Sequence, residues 1–335
     1  MSLIAVSTTF SAGGCKEGYD RLGSPPAPDA GIVFIGPPRS DARCTYVMAG
    51  AQEAANQLAD VDFQTIAPHS ASTDDLTQAL DDAIKASASV VCAWISDPAD
   101  TEPLAARARK AGVQFIAITG TPETPDTYGH VYVDYPGGAG ELAGRINDIA
   151  PDRRSFAVLR PDSTSIADEA ILRHFRSADQ HIYQSLTERA VKSGASYTAA
   201  IQGIIDVFPN VGAIISLDPQ GRLAFAARYM PELEQVARDG KRATTFASLG
   251  ATPRAWPALQ SGRVSVLVGP LDPQIGGEAI ALAVQAITGV ANSATTRVVH
   301  CEWIAPDSLQ DFSRRYADAA GMRVEDLMAT AVGAP

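Results

Sequence analysis

Apolar and polar positions along this chain switch repeatedly between two periods. Ile32-Val33-Phe34-Ile35 is a continuous apolar run closed by Gly36-Pro37-Pro38, which predicts a buried strand. Tyr46, Val47, Gly50, Ala51, Ala54, Ala55 and Leu58 then recur at helical spacing, with Asp41 placed to cap that helix. Phe63-Gln64-Thr65-Ile66 predicts a second strand. Leu76, Leu80, Ala83 and Ile84 stripe a second helix that Ser72 or Thr73 can cap. Val90 to Ile95 is a third strand, Ala99 to Lys110 a helix stopped by Gly112, and Phe115 to Ile118 a fourth strand. Short connections between alternating strands and helices predict a parallel, doubly wound sheet.

Val131-Tyr132-Val133 adds a strand, and the alternation then starts again. Strands are predicted at Phe156–Leu159, His181–Glu188, Ala213–Ser216, Thr244–Ala247 and Val264–Val268. Helices are predicted at Ile166–Ser177 and Tyr197–Phe208, from after Ser216 through Arg238, and at Pro253–Gln260. The two halves repeat an architecture without repeating residues. A tail remains: a long helical stripe from Pro273 to Thr288, a strand from Val298 to Ile304 and a helix from Leu309 to Ala320. Two complete α/β lobes followed by such pieces suit a chain that recrosses between the lobes; a simple tandem of domains would not need them.

Length and composition agree. The 335 residues favour two domains, and 46% hydrophobic with 19% charged residues is ordinary for a globular chain with a substantial core. A net charge of −11 argues against nucleic acid and against docking on anionic lipid, and accords with solubility. The four cysteines (Cys15, Cys44, Cys92, Cys301) form no Cys-x-x-Cys pair, and Cys92 lies in an apolar run that reads as core. Residues 1–30 read as a leader and linker. Leu3-Ile4-Ala5-Val6 and Ala12-Gly13-Gly14-Cys15 resemble the tail of a lipoprotein signal peptide. Two readings stand: lipidation at Cys15, or a disordered leader with an incidental thiol.

Asp134-Tyr135-Pro136-Gly137-Gly138-Ala139-Gly140 and Asp272-Pro273-Gln274-Ile275-Gly276-Gly277 each stand between a strand and a helix. Together with Gly250-Ala251-Thr252-Pro253 and Phe208-Pro209-Asn210-Val211-Gly212, their order over residues 31 to about 305 resembles the pentose- and hexose-binding type I periplasmic binding proteins, of which the ribose binder is one. The resemblance implies two doubly wound lobes joined by a three-segment hinge. Residues 31–134 plus 271–292 would form the first lobe, and 135–270 plus 293–335 the second. It also implies a cleft that closes on a small ligand, with Asp134, Tyr135, Pro270 and Leu271 as hinge residues.

Ligands of open α/β sheets bind beyond the carboxyl ends of the strands. The polar residues expected there are Arg39, Asp41 and Arg43 after the first strand, Trp94, Ser96 and Asp97 after the third, and Thr119 after the fourth. In the second half they are Ser163, Thr164, Ser165, Asp168 and Glu169, then Asp218 and Gln220. Trp94 reads either as a stacking platform or as core. Asp97 and Asp218, each before a proline, read as ligands or as helix caps. Arg39 and Arg43 suit an anionic or hydroxylated group, or solvent. Where ribose binders place an Asp-Arg pair, this chain has Thr119-Gly120-Thr121, and the cleft glutamine falls on Pro270, which argues against ribose itself.

Gly138-Ala139-Gly140-Glu141-Leu142-Ala143 formally matches a dinucleotide fingerprint, the basis of a minor dehydrogenase reading. Four residues separate it from its strand, however, and Asp134 would repel a pyrophosphate. There is no phosphate-binding Gly-Lys loop and no Gly-x-Ser-x-Gly elbow, and the five histidines are scattered. The expectation is therefore a monomeric, extracytoplasmic solute-binding protein with no enzymatic activity, cofactor or metal. It would bind a small polar, sugar-like ligand for an ABC importer; the alternative is a sensing domain that signals to a membrane receptor.

Overall fold

The computed structural model describes residues 31–59, 61–120, 127–145, 155–162, 165–178, 184–191, 197–227, 244–289 and 295–333. Its strands are β1 (Gly31–Ile35), β2 (Asp62–Ile66), β3 (Val90–Trp94), β4 (Gln114–Thr119), β5 (Gly129–Asp134), β6 (Ser155–Pro161), β7 (Gln184–Val191), β8 (Ala213–Ser216), β9 (Thr245–Leu249), β10 (Val266–Gly269), β11 (Thr295–His300) and β12 (Glu302–Ile304). The helices are α1 (Cys44–Asn56), α2 (Thr73–Lys85), α3 (Thr101–Lys110), α4 (Tyr135–Gly144), α5 (Ile166–Ala178), α6 (Tyr197–Val207), α7 (Arg222–Ala227), α8 (Trp256–Gln260), α9 (Asp272–Thr288), α10 (Leu309–Ala320) and α11 (Val324–Gly333). The predicted helix through Arg238 is described only as far as Ala227; residues 228–243, like Cys15, Ser163 and Thr164, lie outside the described residues.

Two six-stranded sheets result. The first runs β2-β1-β3-β4-β5-β11, all parallel; the second runs β7-β6-β8-β9-β10-β12, parallel except for β12. Central β3 is buried along its whole length, because helices cover both faces of a parallel sheet. The fully buried Val90 and Val91 there each contribute about 1.5–3 kcal/mol. Edge strand β2 is exposed at Asp62, Gln64 and Thr65 and half-buried at Phe63 and Ile66. Ser72 caps α2, its Oγ accepting the Asp75 N–H, with Asp74 and Asp75 in the first turn. Asp41 does not cap α1 as expected: the cap position is Arg43, no side chain caps it, and Asp41 is bound to Arg43 instead.

The chain passes three times between the lobes. After β5 it enters α4, which packs against α5 and the second sheet. After β10 it enters α9, which packs on α1 and the first sheet. The third passage corrects the expected boundary. Thr295–His300 pairs with β5 in the first sheet, whereas the expected division places everything after residue 292 in the second lobe. The single expected strand Val298–Ile304 is broken at Cys301, and its two pieces belong to different sheets. Periodicity cannot reveal this, since both pieces carry the same alternation.

The α1–α9 pair anchors the second passage. A Cβ on Gly50 would collide with the backbone of Pro273, and one on Gly276 with the backbones of Val47 and Ala51, so two glycines permit the close approach. One continuous apolar cluster runs from this face of the first sheet through Tyr135 and Ala139 to Phe156 and Phe175 of the second lobe. The tail helices are structural. Phe312 and Tyr316 of α10 meet fully buried Trp256 edge-on at 6.2 and 5.4 Å, while α10 also packs on α1 and α9. Helix α11 packs against the turn Pro253–Ala255 that precedes α8.

Candidate ligand-binding cleft

The carboxyl ends of both sheets meet at the seam, and each side brings one Asp–Arg pair with a buried carboxylate. In the first lobe the turn Gly36-Pro37-Pro38 ends β1 and leads to Asp41 and Arg43, which are 7% and 8% exposed. Arg43 Nε donates to Asp41 Oδ1 at 2.9 Å and Nη2 to Oδ2 at 2.5 Å. Its Nη1 donates to the Tyr135 hydroxyl at 2.8 Å, at the start of α4. The guanidinium also lies 4.8 Å from the Trp94 ring centroid and 5.6 Å from that of Tyr135. Burial alone would raise the Asp41 carboxyl, but the charge and hydrogen bonds of Arg43 outweigh it and hold Asp41 below its ordinary value. Arg43 thus ties the loop before α1 to the first lobe crossing.

In the second lobe Asp218 follows β8 and is 1% exposed. Its Oδ2 accepts from Arg222 Nε at 2.6 Å, and its Oδ1 from the Gln220 N–H at 3.1 Å. The Arg222 guanidinium stands 5.2 Å from the Tyr197 ring. The Tyr197 hydroxyl lies beside Asp218 and Ser216 but makes no well-formed hydrogen bond. The turn is pinned by Gly250, at φ +90°, where a Cβ would run into Gly221 and Pro219.

The lobes are together in this structure. Gln220 Nε2 reaches Asp41 Oδ2 across the seam at 3.5 Å, the long limit of a hydrogen bond. A Cβ on Gly120, after β4, would stand 3.4 Å from Ala167 of α5.

The residues singled out from the sequence fall into three groups. Asp41, Arg43, Trp94, Asp218 and Gln220 gather at the seam, but Arg43 is enclosed by protein partners and covers one face of Trp94, which is 7% exposed. A second group serves local structure. Asp97 accepts the Ala99 N–H at 3.0 Å, and at the start of α5 Ser165 Oγ accepts the Asp168 N–H at 3.1 Å and donates to Asp168 Oδ2 at 2.8 Å. Buried Thr119 bonds His130 Nε2 at 2.8 Å. The third group is peripheral. Arg39 is exposed and donates to the Ala67 carbonyl; Ser96 is exposed; Glu169 borders an open depression of about 670 Å³ with Arg173, Arg176 and Ser177, away from the Asp–Arg pairs.

At the crossings, Asp134 accepts the Gly137 N–H at 2.9 Å and the Tyr132 hydroxyl at 2.9 Å, and lies 3.5 Å from His300 Nδ1. It therefore links the first and third passages. Pro270 is buried and Leu271 half-buried immediately before α9. Sequence reasoning missed Arg222, Tyr197, Asp272 and Tyr316. Asp218 and Arg222 stand only four residues apart, so this pair was open to a reading from the sequence. The Tyr316–Asp272 hydrogen bond of 2.9 Å joins residues 44 positions apart, and no local pattern announces it. Among the described residues no group of three His, Cys, Asp or Glu side chains could hold a metal ion, and no helix is long and apolar enough to cross a membrane.

Two wound lobes, three chain crossings and a polar seam define a hinged, two-lobed ligand-binding protein. The model of the periplasmic binding protein domain matches residues 32–291, and the chain belongs to that family, one of binding proteins rather than enzymes. No curated protein matches the chain. Among solved structures, an ABC transporter solute-binding protein from Burkholderia graminis in complex with D-arabinose is similar at 14% identity, over 84% of this chain and 96% of that one, with a TM-score of 0.70. A solute-binding protein from Bacillus halodurans with bound myo-inositol is similar at 13% identity, over 87% and 99%, with a TM-score of 0.70. A protein described as a LacI transcriptional regulator from Bacteroides fragilis is similar at 14% identity, over 84% and 99%, with a TM-score of 0.69.

Proposed function

We propose that this protein is an extracytoplasmic solute-binding protein that captures a neutral, hydroxyl-rich molecule of the sugar or cyclitol class and presents it to an ABC importer. One observation carries the ligand class. Each cleft carboxylate already has an arginine from its own lobe, Asp41 with Arg43 and Asp218 with Arg222, so these pairs leave no unmatched charge for an ionic ligand to answer. A ligand at the seam then gains chiefly from hydrogen bonds, and a buried donor left unpaired costs about 1–3 kcal/mol, which favours a guest with many hydroxyls. The arabinose- and inositol-bound neighbours support the same class. Closure is a population shift toward the state that the ligand bridges. Arg222, whose side chain is 35% exposed, is the pair member placed to touch the guest.

Calorimetric titration against aldopentoses, aldohexoses and inositols, with amino acids and carboxylates as contrast, tests this. Binding of a neutral polyol is expected; binding confined to anions or amino acids overturns the reading. The regulator-like neighbour supports a second reading, a ligand-sensing core rather than an importer subunit, for which signalling to a membrane receptor is the form proposed. Stimulation of a reconstituted importer's ATPase by the loaded protein separates the two. Acylation of Cys15 would add an envelope anchor, which intact mass of membrane-fraction protein decides.

A further inference from the structure

Asp272 sits at the second lobe crossing, 2% exposed, and its neighbours come from both lobes. From α10 the Tyr316 hydroxyl donates to its Oδ2 at 2.9 Å. The loop before α1 brings Arg43, which attracts its charge, and Asp41, which repels it. Helix α4 brings the Tyr135 hydroxyl, and the third crossing brings Cys301. Tyr46 of α1 packs edge-on against Tyr316, with centroids 5.6 Å apart. On α9 itself the next ionisable group is Glu278, nearly two turns on, which faces Arg297 at 4.0 Å. Arg43 is the one positive charge in this set, and its Nε, Nη1 and Nη2 are already engaged by Asp41 and Tyr135.

We propose that this cluster is a proton-operated latch on lobe closure: a proton on Asp272 holds the lobes together, and its loss lets them part. With Asp272 neutral, the buried set contains one carboxylate and one guanidinium and is balanced. With Asp272 ionised, it carries an excess negative charge away from water, which is costly. Burial pushes the Asp272 carboxyl up to about 7, against the opposing pull of Arg43 and of the Tyr316 hydrogen bond. Opening separates Arg43 and Asp41 from Tyr316, admits water, and returns the carboxyl toward its ordinary acidity. The sign follows. The closed state binds the proton more tightly, so its advantage is complete below about pH 4, the ordinary aspartate value, and is lost as pH rises through about 7. Between these limits the closed-to-open ratio falls by up to about tenfold per pH unit, and above them it is flat.

The device does not depend on which ligand binds, and the test uses ligand-free protein. Dyes attached through keto-bearing residues at exposed Gln78 of α2 and Gln202 of α6 report the lobe distance by single-molecule energy transfer. The wild-type closed-to-open ratio is expected to fall at least tenfold from pH 5 to 7. Asp272→Asn keeps an acceptor for Tyr316 but has no proton to lose, and its ratio is expected to stay flat. Tyr316→Phe removes a donor that favours the anion, so its midpoint is expected to move to higher pH. A wild-type ratio constant over this range, or the same pH dependence in Asp272→Asn, overturns the latch. Should Asp272→Asn fail to fold, an unmoved or lowered midpoint in Tyr316→Phe does so.

Discussion

The two Asp–Arg pairs that face each other across the seam are chemically alike and physically different. Asp41–Arg43 is closed on every side, with both side chains under 10% exposed, two aromatic rings against the guanidinium and a third hydrogen bond to Tyr135 at the hinge. In Asp218–Arg222 the carboxylate is equally buried, but the arginine side chain is 35% exposed. The first pair is a tether between a loop and a lobe crossing. The second is a held but accessible donor at the cleft wall. The difference teaches that residue type and position at a strand end do not assign a side chain to the ligand; what covers its remaining donors does.

Substitutions can break this contrast. Arg43→Ala leaves Asp41 buried without its partner and is expected to cost about 3–5 kcal/mol in denaturant unfolding. A cost below about 1 kcal/mol would mean that the tether is not structural. Tyr135→Phe removes one acceptor from a charged donor and is expected to cost about 1.5–3 kcal/mol by the same measurement. Arg222→Ala also strands a buried carboxylate, Asp218, but the site is open to water on the arginine side and the Gln220 N–H still donates to it, so it is expected to cost about 1–3 kcal/mol, less than Arg43→Ala, while ligand affinity falls at least about tenfold. Equal stability losses at Arg43 and Arg222 would erase the contrast.

A pH series sharpens it further. Asp41 is held below its ordinary value of 3.8, so the stability it contributes is present above that value and is lost as pH falls below it. Acid unfolding of wild-type protein should therefore contain a component that the neutral variant Asp41→Asn lacks. His130 adds to the acid-side loss, since burial pushes it down to about 4, and the stability of its neutral form is lost as pH falls from about 6.5 through 4. His130→Gln should remove that part. The smallest effect belongs to Gln220→Ala, expected to change stability by less than about 0.5 kcal/mol, because the 3.5 Å seam contact it removes is weak.

Much of the fold was legible before any coordinates. Buried β1 and β3, the Ser72 cap of α2 and the glycine-bearing starts of α4 and α9 all follow from short-range pattern. The third crossing was not legible, because the step at Cys301 between β11 and β12 depends on which neighbour each strand pairs with. Helix α11 was not read at all; its apolar side chains gain their meaning only against the turn before α8. At the seam, Asp41, Arg43, Trp94, Asp218 and Gln220 were identified by position. That Arg43 faces Tyr135 and covers Trp94 was hidden, since those contacts span 92 and 51 residues.

By itself the sequence determined the two wound sheets, their α/β alternation and the two glycine-marked stretches where the chain first changes lobes, because strand and helix periods and turn residues act over a few neighbouring positions. Only the tertiary structure decided where the third crossing falls and how the charges divide: Arg43 to the hinge, Arg222 to the cleft wall, Asp272 into a buried cluster. Burial and partner geometry are properties of the packed chain, since contacts such as Arg43 with Tyr135 and Asp272 with Tyr316 join residues 92 and 44 positions apart.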